Sequence, residues 1–177
     1  MIKATVKSQP CHEPMVEQDR LIVVRWLNEI FGAQPLVKAT KWADRAAYRV
    51  LVHADSQPAS YLRIFDRTAL FDGRPVRLGG VSGVMTIPAY RHRGYAGMAL
   101  AEAKRIIFDV LSANVGLLLC EDRHRDFYPR YGWQSIDCPV EFDQPEGKRT
   151  WPGPSMILAK NGEEWSPAHI DLCGLPW

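Results

Sequence analysis

The chain has 177 residues, of which 46% are hydrophobic and 24% are charged, so it is long enough to bury the core of an ordinary globular domain. Its formal net charge of +2 argues against strong non-specific binding to nucleic acid. No apolar run approaches the roughly 18–20 residues that cross a bilayer, which argues against a membrane-spanning helix.

The N-terminal third predicts an edge strand, a helix and a second strand. Residues 1–7 have the pattern of an edge strand rather than of a signal peptide. Residues 16–32 carry apolar side chains at helical spacing and end in a glycine, which predicts an amphipathic helix. The stripe consists of Leu21, Val24, Leu27, Ile30 and Phe31. Residues 48–52 are rich in β-forming side chains and predict a short strand.

The middle of the chain predicts a hairpin that leads into a helix. Residues 61–71 and 74–81 flank Asp72 and Gly73, two residues that tolerate the positive φ angles of a tight turn. Residues 81–87 continue as a strand, and Pro88 closes it. A helix follows and runs to about residue 111, because one face carries Ala96, Leu100, Ala103, Ile107 and Val110.

The last third predicts a buried strand, a short helix and scattered strands. Residues 115–120 are wholly apolar, which is typical of a strand buried on both faces. Asp122 is a candidate cap for a helix that ends at Gly132. Pro129 would lie inside that helix and cost about 3 kcal/mol, so we expect a very short or broken helix. Strand-like pieces lie around residues 140–142 and 155–159, before a tail rich in Pro, Gly and Trp.

These elements predict one domain over residues 1–177, with an α/β (α+β) layered fold in which helices flank a sheet. The cysteines form no C-x-x-C pair, which favours reduced thiols and a cytoplasmic location over disulfides or a zinc site. They are Cys11, Cys120, Cys138 and Cys173.

The segment after Pro88 predicts a phosphate site. A basic turn containing Gly94 leads from a strand into a helix, so unpaired main-chain N–H groups and a positive helix terminus meet at one point. Gly94 lets the backbone approach a ligand closely, and Arg91 and Arg93 can donate charge-assisted hydrogen bonds. The sequence has neither a G-x-x-x-x-G-K-[ST] loop nor a G-x-G-x-x-G turn, which argues against P-loop and dinucleotide folds. A surface turn with solvated arginines is the alternative.

Two motifs resemble those of the GNAT superfamily of acetyl-CoA-dependent N-acetyltransferases. The run Arg91-His-Arg-Gly-Tyr-Ala96 resembles the family's R/Q-x-x-G-x-G/A signature, and Phe127-Tyr-Pro-Arg-Tyr-Gly-Trp133 resembles its F-Y-x-x-x-G-F segment. Together with the strand before Pro88, the resemblance covers roughly residues 60–135. It implies a central mixed, mainly antiparallel sheet with a splayed pair of parallel strands. It also implies acetyl-CoA as co-substrate, a small-molecule amine as acceptor, no metal, and a fold that often forms homodimers.

The resemblance also implies where coenzyme A binds. The backbone of Met85 and Ile87 would hold the pantetheine arm, and an N–H near Val84 or Met85 would polarise the thioester carbonyl. Gly83 within the strand is consistent with a bulge or a close ligand approach. The implied cofactor-binding residues are Val84, Met85, Thr86 and Ile87 on the strand, and Arg91, His92, Arg93, Gly94, Tyr95 and Ala96 in the turn.

Tyr128 matches the family tyrosine that donates a proton to the departing thiolate, although it can instead pack the helix onto the sheet. A subgroup of the family has a glutamate base where this chain has Ser82, which cannot serve as a base alone. Glu121 at the end of the buried strand is the favoured substitute. Asp171, the terminal carboxylate of Trp177 and a water chain remain alternatives.

The acceptor site is predicted from charge and aromatic content. Residues 1–132 carry 19 Lys+Arg against 13 Asp+Glu, whereas residues 133–177 carry 3 against 7 and hold four of the six tryptophans. Such a tail suits a cationic amine acceptor, or it only packs against the core. The tail also resembles that of the aminoglycoside 2′-N-acetyltransferases, which implies Ser82, Asp171 and Trp177 as substrate-binding residues. A non-catalytic acyl-CoA-binding module of the same fold is the competing function.

Overall fold

A ten-stranded mixed sheet organises the chain in the computed structural model, which describes residues 3–177. The strands are β1 (Ala4–Pro10), β2 (Tyr48–Ala54), β3 (Gln57–Phe71), β4 (Arg74–Thr86), β5 (Val115–Leu119), β6 (Trp133–Ile136), β7 (Val140–Gln144), β8 (Gly147–Thr150), β9 (Ser155–Ala159) and β10 (Ile170–Asp171). The helices are α1 (Glu17–Phe31), α2 (Pro35–Lys38) and α3 (Tyr95–Arg105), which continues as a π-turn over Ile106–Val110.

The strand order is β1-β2-β3-β4-β5-β9-β6, and a branch β10-β7-β8 joins the far end of β3. The β4–β5 and β10–β7 pairs are parallel, whereas the other pairs are antiparallel. This arrangement confirms the predicted mixed, mainly antiparallel sheet. β1 pairs only with β2 among the described strands, so it forms an edge; the first two residues of the predicted edge strand lie outside the described residues.

The long β3–β4 hairpin is the centre of the sheet and confirms the predicted turn. Asp72 and Gly73 have φ angles of 50° and 77°, as a tight two-residue turn requires. Its strands are long enough to pair with β2 near one end and β10 near the other. The hairpin therefore joins the N-terminal strands of the sheet to the C-terminal branch.

The two faces of the sheet bury three apolar clusters. On one face, α3 covers β2–β5 through residues such as Leu100 and Ile107. On the other face, α1 covers one end and the C-terminal segments cover the other. Trp26 of α1 and Trp177 of the tail are both buried there, each 4% exposed.

The predicted helix over residues 16–32 is confirmed, and its predicted apolar stripe is right for Leu27, Ile30 and Phe31 but wrong for Leu21 and Val24. α1 buries Val23 and Trp26, whereas Leu21 is 57% exposed and Val24 is 44% exposed. Val23 and Trp26 have the spacing of one helical face, and so do Leu21 and Val24. Periodicity alone could therefore not choose between these two pairs. The large indole of Trp26 faces the sheet and turns Leu21 and Val24 toward solvent.

The segment after β5 forms two 3₁₀ turns, Asp122–His124 and Tyr128–Tyr131, rather than one helix. Asp122 does not cap the first turn, because the capping position falls on Glu121 and makes no side-chain cap hydrogen bond. Pro129 lies in the first turn of the second segment, where its missing N–H costs nothing. Gly132, at φ 84°, ends that turn as expected.

None of the helices formed by residues 3–177 is long and apolar enough to cross a membrane.

Candidate functional site

The parallel strands β4 and β5 separate at their carboxyl ends. They pair from Leu78 with Val115 to Val81 with Leu118. Beyond this point β4 continues to Thr86 along β3, whereas β5 stays with β9 and ends. We call the gap between residues 82–86 and 119–121 the β4–β5 opening, and it matches the splayed pair of the predicted fold.

A β-bulge lies in β4 at the start of this opening. The register passes from Ser82 opposite Arg63 to Met85 opposite Tyr61, so two residues of β4 oppose one residue of β3. Gly83 belongs to the bulge and has a φ of 62°, a left-handed conformation that favours glycine. The bulge therefore redirects the backbone where the two strands part, and Gly83 has the role that the sequence predicts.

Beyond the bulge, backbone direction distinguishes the residues predicted to hold the pantetheine arm. The Ile87 N–H donates to Ala59 O on β3 at 3.1 Å, and the Met85 carbonyl accepts from Ser60 Oγ at 2.8 Å. Because backbone groups alternate between the two edges of a strand, Thr86 faces the opening. Of these three residues, Thr86 is therefore the one whose main-chain groups face a ligand in the opening. The main-chain groups of Met85 and Ile87 point toward β3, so they are not available to the pantetheine arm in the way that was predicted.

The basic turn after β4 presents unpaired main-chain donors. The Arg91 N–H donates to Pro88 O at 3.3 Å, so this group is paired, whereas the sequence predicts that the N–H groups of the turn are unpaired. The first helical hydrogen bond of α3 runs from Met98 N to Gly94 O at 3.1 Å. Between them, the N–H groups of residues 92–97 donate to no acceptor among the residues that the structure describes. His92 and Gly94, at φ 60° and 83°, curl this segment around the helix N-terminus.

The side chains of the turn leave this concave backbone accessible. Arg91 donates from Nε to Thr86 O at 3.1 Å, which ties the turn to the end of β4. The Arg93 guanidinium lies 5.9 Å from the ring centroid of Tyr90. A Cβ at Gly94 would meet no atom within 4 Å, so the space in front of the turn is open. Tyr95 is 5% exposed and packs into the core, which leaves only its N–H for a ligand.

Tyr128 lies in the core next to the end of β5. Its ring centroid is 5.1 Å from that of Phe127 and 6.5 Å from that of Trp133. Burial raises the pKa of Tyr128, and nearby Cys120 raises it further. The second 3₁₀ turn is fixed against α3 because Tyr131 occupies the space of a side chain at Gly97, where a Cβ would lie 2.5 Å from the Tyr131 ring. The protonated Tyr128 phenol is thus held in a rigid position.

Two titratable groups, Cys120 and Glu121, follow the end of β5. Burial raises the pKa of Cys120 to about 11, so at neutral pH the thiol is protonated and a poor nucleophile. Glu121 lies at the open end of β5, but its carboxylate forms a two-point ion pair with Arg123, at 2.9 and 3.1 Å. No cluster of three potential metal ligands occurs within residues 3–177.

The three predicted substrate-binding residues are not brought together. Ser82 lies beside the bulge, opposite Arg63. Asp171 lies on β10, where it binds Lys148 Nζ at 2.7 and 2.8 Å and accepts from the Cys173 N–H. Trp177 is buried against Phe65, with ring centroids 6.1 Å apart. Only Ser82 lies at the β4–β5 opening.

The sequence analysis missed two arginines on the same face as Ser82. Arg49 on β2 is directly opposite Arg63 on β3, which in turn is opposite Ser82 on β4. The Nε atoms of both arginines are buried without a hydrogen-bond partner. A signal was present, because each arginine interrupts a strand whose other central residues are mostly apolar. Their alignment, however, becomes visible only in the register.

A family model described as an acetyltransferase (GNAT) domain matches residues 12–136. The search of curated proteins finds no match. This model describes a GNAT domain in general. It does not support the resemblance to the aminoglycoside 2′-N-acetyltransferases that was inferred from the tail.

Solved structures share the fold at low sequence identity. Escherichia coli ElaA has a TM-score of 0.62 and 13% identity over 89% of this chain and 99% of its own. The GNAT family N-acetyltransferase YhbS of Escherichia coli, solved in complex with CoA, has a TM-score of 0.54 and 13% identity over 99% of this chain and 96% of its own. A GCN5-related N-acetyltransferase from Kribbella flavida has a TM-score of 0.54 and 17% identity over 74% of this chain. The match spans only 34% of the Kribbella protein.

Proposed function

Because this chain belongs to the GNAT acetyltransferase family, we propose that it transfers the acetyl group of acetyl-CoA directly to the primary amine of a small acceptor. One observation carries the proposal: the β4–β5 opening ends at a turn whose N–H groups, from residues 92–97, have no described acceptor. The opening suits an extended thioester arm, and the turn suits the phosphates at its end. The amine is protonated in water, so the acceptor is cationic at its reacting end.

In this proposal the turn holds the pyrophosphate of coenzyme A. The six N–H groups, the positive terminus of α3, Arg91 and Arg93 all favour an anion at the same place. His92 and Ala96 contribute through their backbone. The pantetheine arm then follows the opening past Thr86, which places the thioester near the bulge at Gly83 and Val84. An N–H at the bulge would polarise the thioester carbonyl.

The transfer itself needs the amine to lose a proton and the thiolate to gain one. The neutral amine attacks the carbonyl carbon, so a C–N bond forms and the C–S bond breaks. Tyr128 donates its proton to the departing sulfur, and the second proton that the nitrogen loses as the amide forms returns to Tyr128 through solvent. Burial raises the pKa of Tyr128, and it raises the pKa of the adjacent Cys120 thiol as well. The raised pKa keeps the Tyr128 phenol protonated at neutral pH, so that it has a proton to donate.

The proton that leaves the ammonium group needs an acceptor. We propose Glu121, which lies at the open end of β5, because its surface ion pair with Arg123 can open without disturbing the core. A water chain to solvent is the alternative route, and Ser82 would orient the acceptor rather than remove the proton. Asp171 and Trp177 are left out of the proposed acceptor site, since one is paired with Lys148 and the other is buried.

The direct test of the function is an acetyl-CoA turnover assay with a panel of amines. We expect amine-dependent release of free thiol, with acetylated amine found by mass spectrometry in equal amount. The panel contains amino acids, diamines, aminoglycosides and short peptides. If the protein binds acetyl-CoA in calorimetry but releases no thiol with any amine, the non-catalytic acyl-CoA-binding module is the correct function.

The turn is tested by removing its two arginine side chains together. We expect Arg91→Ala with Arg93→Ala to weaken coenzyme A binding about 30-fold, since charge-assisted hydrogen bonds to the phosphates are lost while the N–H groups remain. Calorimetry with coenzyme A and with dephospho-coenzyme A measures the loss. Arg74→Ala, an exposed arginine at the distant start of β4, is the matched control. Unchanged affinity in the double variant would show that the phosphates bind elsewhere.

A further inference from the structure

A ladder of polar side chains crosses the sheet beside the β4–β5 opening. Arg49, Arg63 and Ser82 are successive cross-strand partners on β2, β3 and β4. Directly paired residues project from the same face of a sheet, so these side chains form one polar row. We propose that this row binds a carboxylate of the acceptor, which makes the substrate a small primary amine of the amino-acid class. The inference rests on the proposed function and names its substrate class.

Arg63 is the centre of this row, and no hydrogen bond or ion pair joins its side chain to another residue within residues 3–177. Its Nε is buried without a hydrogen-bond acceptor, and its guanidinium contacts the Phe65 ring at 5.5 Å from the centroid. A buried donor without a partner costs stability, and the cost is recovered when a ligand supplies the acceptor. The guanidinium fork matches the two oxygens of a single carboxylate.

Arg49 adds a second positive charge. One of its terminal nitrogens donates to the Glu13 carbonyl, which fixes the side chain, while its Nε remains buried without a partner. Like charges directly opposite each other destabilise a sheet. An anion between or beside the two guanidinium groups would turn this repulsion into attraction.

No described carboxylate neutralises the pair. Asp19 lines the same cavity of about 40 Å³ as Arg49, but its carboxylate lies 3.0 Å from His53 Nε2 and forms no ion pair with either arginine. Glu17, two residues earlier on α1, pairs with Arg20. The charge of the two arginines therefore remains available to a ligand.

The buried groups beside the arginines respond to that charge. Burial raises the pKa values of Cys11 and Tyr61, and both Arg49 and Arg63 act in the opposite direction on each. Both guanidinium groups therefore act electrostatically on the same small volume between the sheet and the segment before α1. An oxyanion placed there would interact with two positive charges in a partly desolvated site.

The position of Arg63 relative to the bulge sets the size of the acceptor. A Cβ at Gly83 would lie 3.9 Å from Arg63 Nε and 3.8 Å from Leu27 Cδ2 of α1. If the thioester lies at the bulge, the amine that attacks it and the group that Arg63 binds are only a few bonds apart. An amine and a carboxylate on the same or adjacent carbon atoms meet this requirement. Leu27 forms an apolar wall for the rest of the acceptor.

The inference is tested with matched acceptors that differ in one group. The amines are an amino acid, its amide, its decarboxylated amine and the corresponding aminophosphonate. We expect the wild-type protein to acetylate the amino acid with a kcat/KM about 30-fold above that of the amide and the decarboxylated amine. Arg63→Met should remove that preference, so that the kcat/KM values of the amino acid and of its decarboxylated amine become equal. Arg63→Lys, which keeps the charge but loses the fork, should recover only part of it.

Binding provides a readout that does not need turnover. In calorimetry, the amino acid should bind the complex of protein and coenzyme A, and Arg63→Met should abolish this binding without changing coenzyme A affinity. Arg45→Met, an exposed arginine before β2, is the control and should bind normally. Binding that depends on Arg63 without turnover would contradict the proposed function and support the inference. Turnover with no preference for a carboxylate, or a preference for the phosphonate, would overturn the inference and leave the function standing.

Discussion

Replacing Tyr128 with phenylalanine is expected to lower kcat by about 10²- to 10³-fold while the affinity for acetyl-CoA changes little. The phenol is the buried proton donor proposed for the thiolate, and phenylalanine keeps its ring contacts with Phe127 and Trp133. The fold and the phosphate turn should therefore persist while the proton is missing. Steady-state kinetics of thiol release, together with calorimetry of acetyl-CoA binding, measure the two effects separately.

Tyr131→Phe is the matched control for this experiment. Tyr131 lies in the same 3₁₀ turn and packs on Gly97, but the proposed mechanism assigns no proton transfer to its hydroxyl. We expect its kcat to remain within about threefold of the wild-type value. An acyl donor whose leaving group needs no proton gives a second check, since acetyl transfer from a thioester with an acidic thiol should be less sensitive to Tyr128→Phe. Equal kcat values for the wild type and Tyr128→Phe would show that Tyr128 only packs.

The sequence predicts the strands and turns that depend on local chemistry. Asp72 and Gly73 are suited to a tight turn wherever they occur, and the apolar runs at residues 115–119 and 155–159 form strands because both faces are buried. β6, β8 and β10 are not predicted, because β6 buries only Trp133, β8 is exposed along its length and β10 has two residues. These strands are defined by their partners and not by their composition. The short helix α2 was missed for a similar reason, since four residues show no period.

In the candidate site, too, the features set by local sequence were predictable and those set by strand pairing were not. The basic turn was predictable because glycine, arginine and a helix start are adjacent in sequence. The acceptor side was not, because Arg49, Arg63 and Ser82 come from three strands and meet only through register. The acidic tail predicted a subsite for a cationic amine, but four of its seven carboxylates pair with basic residues of the tail itself. These pairs join Asp143 and Asp171 to Lys148, Glu146 to Arg149, and Glu141 to His169.

Replacing Trp177 with alanine should mainly affect stability. The indole is 4% exposed, is stacked on Phe65 and lies beneath the Arg67 guanidinium, 5.7 Å from its ring centroid. A Cβ at Gly80 would lie 2.3 Å from the indole, so the ring fills the space that this glycine leaves. Removing a buried tryptophan costs about 3–5 kcal/mol, and we expect a decrease of that size in the free energy of unfolding measured in urea.

Trp177→Phe separates this packing role from the acceptor contact that the sequence predicted. Phenylalanine keeps the stack on Phe65 and removes the indole Nε1, which is buried without a partner, so the expected loss of stability is only about 1 kcal/mol. Where the variants are folded, the KM for the amine should equal that of the wild type. A raised KM at unchanged stability would restore Trp177 to the acceptor site. Because Trp177 and Ser82 lie along the same face of β4, that result would also extend the acceptor site beyond Arg63 toward Phe65.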